Sequence, residues 1–206
     1  MHRLIMNSST YRQASASRPE CAKVDAGTRL LWRFPPRRLD AEALRDSILS
    51  VSGHLDLSMG GPGFSAFEPN DNYVRVYEPR KEFGPTEWRR MVYMTKARMQ
   101  QDGTFGAFDC PDGGQVAAKR GRSITPLPAL NLLNSTFMLQ QSHLFAERLE
   151  REAADPRAQA RLAFQLAYGR EAFEQELAAS EAVIRRHGAA TFCRSLFNSN
   201  EFIFLE

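Results

Sequence analysis

Residues 125–197 are cut at short intervals by residues that start and stop helices, and this punctuation narrows what the chain can fold into. Thr125-Pro126 provides a cap followed by a proline, whose fixed φ and missing N–H suit a first helical turn. A short helix through Leu133 follows. Asn134-Ser135 ends it and caps the next, in which Met138, Phe145 and Leu149 form one apolar stripe. Asp155-Pro156 starts another helix, with Leu162, Ala163, Leu166 and Ala167 on one face and Gly169 as its stop. Phe173, Leu177, Ser180 and Ile184 mark a fourth, ended by Gly188, and a last short helix runs from about Ala189 to Phe197. The connections between these segments are only a few residues long, which favours antiparallel neighbours. The fold class predicted is mainly α: a helical bundle with long irregular Gly/Pro-rich loops and at most one short β element.

The first half is less regular. Asp40 suits an N-cap, Leu39 and Leu44 form a hydrophobic staple, Leu44, Ile48 and Val51 share a face, and Gly53 is a natural stop. Residues 54–84 are rich in Gly, Pro and Asn, with YVRVY (73–77) alternating like a short strand. After Pro85, the spacing of Trp88, Met91, Val92, Thr95 and Met99 predicts a second helix, capped by Thr86 and ended by Gly103. Residues 102–124 then form a loop with five glycines. Loops this long inside a compact domain are uncommon and are usually functional or disordered. The chain reads as a single domain, 1–206, with helices and loops over 1–101, the long loop over 102–124 and the bundle over 125–206.

Bulk properties exclude some classes. Hydrophobic residues make up 43% and charged residues 25%, ordinary for a chain that can bury its own core. The net charge of +3 is spread thinly: residues 1–100 hold 16 basic and 11 acidic side chains, residues 101–206 hold 11 and 13. That argues against nucleic acid as a partner, which calls for a denser basic stripe. No apolar run reaches the roughly 18 residues of a membrane span. The N-terminus shows no signal-peptide core of about 7–15 apolar residues. Cys21, Cys110 and Cys193 allow three single bridges with one thiol left over, and no CxxC or CxxCH occurs.

FDCPDGGQ (108–115) has the look of a site. As a metal loop it would use Asp109, Asp112 and Cys110, but calcium takes about six to eight oxygens, and these acids are too few. As a nucleophile Cys110 needs a base or a cationic neighbour to hold its thiolate, and no histidine is near it in sequence. The favoured reading is a tight turn at Pro111-Asp112-Gly113-Gly114, with Phe105 and Phe108 anchoring the loop to the core. Arg33, Arg37 and Arg38, and Lys119, Arg120 and Arg122, could grip sulfate, phosphate or an anionic sugar. Pairing with Glu42, Asp46, Asp109 or Asp112, or plain solvation, is the simpler account. His2, His54, His143 and His187 show no metal spacing, and His187 beside Arg185 and Arg186 suits a helix C-terminus. No catalytic residue and no metal ligand is assigned. The ligand-binding candidates are Arg37, Arg38, Asp109, Asp112 and Arg122. Trp32 and Trp88 read as core residues.

Six phrases in order carry a resemblance: RLIMNSSTYRQAS, LLWRFPPRRLDAEALRDSILSVSGHLDLSMGGPGF, FGAFDCPDGGQ, SITPLPALNLLNSTFMLQQ, RLAFQLAYGR and LFNSNEFIFLE. Together they resemble a family of large planctomycete-type bacterial proteins whose C-terminal region is a domain of unknown function, number 1553. The resemblance spans essentially the whole chain. It implies a secreted, multidomain, periplasmic or extracytoplasmic protein that often carries a cytochrome c-like module upstream. It also implies that Met1 falls where the family continues a helix, so that the chain is a C-terminal piece. No cofactor is then expected in this chain, c-type haem belonging only to the missing upstream module.

Two functional expectations follow. The first is a non-catalytic interaction or scaffold module that packs on upstream domains of its own protein and leaves an apolar patch near residues 1–15 exposed. The second is a catalytic or ligand-binding module acting on polysaccharides, sulfated ones among them, with Asp109, Asp112 and an arginine converging on one cleft. The chain alone leans away from an enzyme, since no catalytic motif is present.

Overall fold

The computed structural model describes residues 1–69, 76–98, 100–111, 113–114, 118, 121 and 125–205. It divides into two units, Met1–Leu39 with Ile203–Glu206, and Asp40–Phe202.

The first unit is sparse. It holds α1 (His2–Met6), α2 (Pro19–Val24) and a two-stranded antiparallel sheet of β1 (Arg37–Arg38) and β2 (Phe204–Leu205). Arg37 pairs with Leu205 and Arg38 with Phe204, and the Leu39 amide extends the pairing by donating to the Ile203 carbonyl at 2.8 Å. α2 starts on Pro19, with Glu20 in its first turn and Lys23 in its last, the order the helix dipole favours. Trp32 is half-buried. Its Nε1 donates to the Asp25 carbonyl at 2.8 Å, and the Arg33 guanidinium lies 5.0 Å from its ring centre. Among the described residues of this unit only Thr28 and Ile203 are buried.

The second unit is mainly α. It contains α3 (Ala41–Ser52), α4 (Leu127–Asn134), α5 (Thr136–Glu152), α6 (Pro156–Tyr168), α7 (Glu174–His187), α8 (Ala189–Phe197) and α9 (Asn200–Ile203), whose last residue belongs to the first unit. The predicted punctuation is where the helices break. Ser135 Oγ accepts the Met138 amide at 3.3 Å, Asp155 accepts the Arg157 and Ala158 amides at 2.9 Å each, and Gly53 and Gly169 end their helices left-handed. Asp40 is the N-cap of α3 by position, but its side chain does not accept from the first-turn amides.

α5 is the central helix. It packs against α3, α4, α6 and α8, while α7 lies on α6 and α8. Met138, Phe145 and Leu149, the predicted stripe, are all fully buried, as are Leu44, Ile48 and Leu49 of α3. Burying each such side chain contributes about 1.5–3 kcal/mol. Phe145, Phe197 and Phe202 form a row, with ring centres 5.5 and 5.1 Å apart. On α6 the buried face is Gln159, Ala160, Ala163 and Phe164, so that Leu162, Leu166 and Ala167 are half-buried rather than central.

One predicted helix is absent. Residues 85–93 form two 3₁₀ turns, Pro85–Trp88 and Met91–Tyr93, instead of a continuous helix. The backbone groups a helix would use are taken by other elements. The Trp88 carbonyl accepts the Asp56 amide at 3.1 Å, the Met91 amide donates to Asp46 at 2.7 Å, and Arg45 donates to the carbonyls of Glu87 and Arg89. Beyond Tyr93 the chain pairs alongside Phe64, whose carbonyl accepts the Thr95 amide at 2.8 Å. Gly63 is required there, because a Cβ would stand 2.4 Å from the Tyr93 carbonyl oxygen. The predicted YVRVY strand falls largely on residues 73–75, which lie outside the described residues.

Candidate functional site

The FDC turn is anchored as its aromatics imply. Phe105 and Phe108 are both buried, and Phe105 meets Phe137 of α5 edge-on at 5.3 Å. Upstream, Asp102 Oδ1 accepts the amides of Thr104 and Phe105 at 3.0 and 2.6 Å, closing the turn into the 3₁₀ segment Gly106–Phe108. Asp109 then takes a left-handed conformation, φ 57°, which turns the chain so that Cys110 faces inward at 4% exposure.

Three chemically active side chains meet there. Lys96 Nζ donates to Cys110 Sγ at 2.9 Å, and Sγ lies 3.9 Å from Glu42 Oε1 on the first turn of α3. Gly113 completes the arrangement by packing over the base of Lys96. Its φ of 74° is left-handed, and a Cβ at this position would come within 3.2 Å of Lys96 Cβ. A cavity of about 10 Å³ adjoins the thiol and is lined by Lys96, Cys110, Met94, Gln101 and Asp102 among others. An ammonium beside a thiol favours the thiolate, and a nearby carboxylate can accept a weak hydrogen bond from the protonated thiol. The cationic neighbour that FDCPDGGQ lacks in sequence is therefore present in space. Lys96 is 14 residues from the cysteine and Glu42 is 68 residues away, and neither lies in a recognisable motif with it.

The other cysteines differ. Cys193 is fully buried in α8, and loss of solvation pushes its thiol well above the ordinary range. Cys21 lies in α2 of the first unit, and none of the three forms a disulfide.

The ligand-binding candidates are distributed as follows. Arg37 and Arg38 form β1 in the first unit, and Asp109 is in the second. Asp112 and Arg122 lie outside the described residues, as do Lys119 and Arg120. His2, His143 and His187 are exposed, and the half-buried His54 stands edge-on to Trp88 at 4.5 Å. Among the described residues no three His, Cys, Asp or Glu side chains gather closely enough to hold a metal ion.

A second charged centre, Arg45, has no signal in the sequence beyond being an arginine on the apolar face of α3. It is 2% exposed, and burial lowers its pKa to about 10. Its guanidinium donates to the Arg89 carbonyl at 2.8 Å and to the Glu87 carbonyl, and it stacks over Phe64 and Phe137 at 4.8 and 5.3 Å. Every donor direction it uses ends on protein, so it serves as a brace. Arg89 is similarly committed, donating to the carbonyls of Ser58, Gly60 and Pro62 and lying 4.0 Å over Tyr93. The GGPGF segment is thus wrapped around an arginine and is not a phosphate cradle.

A family model described as PSD1, Protein of unknown function (DUF1553), matches residues 1–184. The chain belongs to this family. No curated protein and no solved structure matches the chain. The DUF1553 match covers Glu42, Lys96 and Cys110 and runs into α7, leaving α8, α9 and β2 beyond it. No helix among the described residues is long and apolar enough to cross a membrane.

Proposed function

We propose that this DUF1553 domain is an interaction module that docks onto another polypeptide through the apolar side chains of its first unit. The observation that carries the reading is the exposure of apolar side chains in the first unit, those of α1 among them. Leu4 is 76% exposed, and Ile5, Met6, Tyr11, Leu30 and Leu31 are exposed as well. Single exposed apolar residues need no explanation, but a group of them on one small unit with two buried residues does. Such a unit has almost no core of its own, and covering these side chains is what would stabilise it.

The partner this reading favours is a preceding domain of the same polypeptide, within a secreted, cytochrome-linked protein. Support for that context is the resemblance in sequence alone. The test is site-specific photo-cross-linking in the producing cell, with benzoylphenylalanine at Leu4 or Tyr11 and at exposed Glu147 as control. The expected outcome is a discrete adduct from the first two sites that a Leu4→Asp/Ile5→Asp pair abolishes. Equal, diffuse labelling from all three sites would overturn the reading.

A further inference from the structure

We propose that Lys96 and Cys110 are a modification site: a pair that closes into a covalent S–N cross-link when a hydroperoxide oxidises the thiol. The pair belongs to the second unit, independent of the docking surface, and three features there point to this chemistry.

The first is proximity. Nζ and Sγ are 2.9 Å apart, closer than most nucleophile–electrophile pairs are held before reaction. Gly113 lies close over the base of Lys96, where an added Cβ would come within 3.2 Å of Lys96 Cβ. The second is charge. Lys96 on one side of the sulfur favours a thiolate, and Glu42 Oε1, 3.9 Å away on the other, accepts a weak hydrogen bond while the thiol keeps its proton. Cys193, sealed in a helix interface where burial pushes its thiol up, is expected to stay inert. The third is access. The cavity at the thiol has room for about one water-sized molecule. The buried thiol thus borders a small opening, which suits approach by a small oxidant such as hydrogen peroxide.

The chemistry balances with one equivalent of peroxide. The Cys110 thiolate attacks one peroxide oxygen, an S–O bond forms, the O–O bond breaks and hydroxide leaves. Hydroxide takes a proton from the Lys96 ammonium, giving water and a neutral amine beside a sulfenic acid. The amine nitrogen then attacks sulfur, the S–N bond forms, the S–O bond breaks, and the departing oxygen leaves as water with the proton lost from nitrogen. Thiolate, ammonium and hydrogen peroxide become a sulfenamide and two waters, with sulfur oxidised by two electrons and peroxide reduced by two. Condensation of a sulfenic acid with a nitrogen is a known reversible step on the cysteine oxidation ladder and protects sulfur from irreversible over-oxidation. In this fold the bond would tie the strand-like segment after Tyr93 to the turn at Asp109.

The experiment is peroxide titration of the intact protein followed by peptide mapping without reductant. The expected product is lighter than the starting chain by two hydrogens, resists trypsin at Lys96, and yields one cross-linked species joining the Lys96 and Cys110 peptides. Dithiothreitol should restore both peptides. Lys96→Arg, which keeps the positive charge but removes the amine, should lose at least tenfold of the cross-linked species and let Cys110 proceed to sulfinic acid. Oxygen added to Cys110 with normal cleavage at Lys96 would overturn the proposal, as would an unreacted Cys110 at peroxide excess. The same two-hydrogen loss in Lys96→Arg would also overturn it, by assigning the bond to another nitrogen. If Lys96→Arg does not fold, the wild-type map decides alone.

Discussion

Asp46 accepts the Met91 amide at 2.7 Å and lies 3.6 Å from Arg90, yet burial outweighs both and raises its pKa above the ordinary carboxylate value. The raised value means the folded state binds this proton more tightly than the unfolded chain does. Ionised Asp46 therefore lowers stability, fully so above its folded pKa, and the loss disappears as pH falls through that value toward the unfolded one. Asp46→Asn keeps the acceptor for Met91 and removes the titration. Urea denaturation should show wild type gaining stability relative to Asp46→Asn as pH drops from neutral toward 4, and parallel profiles would refute the assignment. Residue identity alone revealed little at this scale. Phe105 and Phe108 could be read as anchors because large aromatics have few alternatives to burial. The pairing of Cys110 with Lys96 and Glu42 could not be read, since it depends on where two distant segments come to rest, and Arg45 is an ordinary arginine until its neighbours close over it.

At the scale of elements, local chemistry decided most of the second unit. Asp155 meets two free amides of α6 at 2.9 Å each, so Asp155→Ala should cost about 1 kcal/mol, read as a lower urea midpoint with an unchanged slope. A loss well under half of that would mean Pro156 and packing alone set the start of α6. The helices from α4 to α8 were legible to within a residue or two because caps, stops and apolar stripes agree with each other there. The segment after Pro85 has helical spacing without that agreement. Its carbonyls and amides are claimed by Asp46, Arg45 and the Asp56 and Phe64 backbones, and periodicity carries no information about such competition.

For the whole molecule, Arg170 joins parts that are distant in sequence. It donates to Glu176 at 2.8 and 2.7 Å and to Glu201 at 2.5 and 2.8 Å, while lying over Phe164 and Phe173. Two of the recognisable phrases, RLAFQLAYGR and LFNSNEFIFLE, therefore meet through one guanidinium, with Tyr168 Oη adding a bond to Ser199 Oγ at 2.8 Å. Arg170→Ala should loosen α9 before the bundle. Hydrogen exchange at the Phe202 amide, which donates to Ser199 Oγ at 3.2 Å, should quicken while the α5 amides keep their protection. Uniform protection in the variant would show that aromatic packing alone holds α9. By itself the sequence determined a mainly α chain, its helix boundaries after residue 125 and many of its apolar core positions, because each of these rests on neighbours a few residues apart, and its family, which ordered phrases along the chain carry. Only the tertiary structure decided that residues 85–93 are not a helix, that residues 1–39 belong to a small unit of their own with hardly any core, and that a lysine and a glutamate flank Cys110. Those features arise from contacts between segments distant in the chain, from Lys96 with Cys110, 14 residues apart, to Arg37 with Leu205 near its two ends, where closing the loop, not local preference, sets which groups meet.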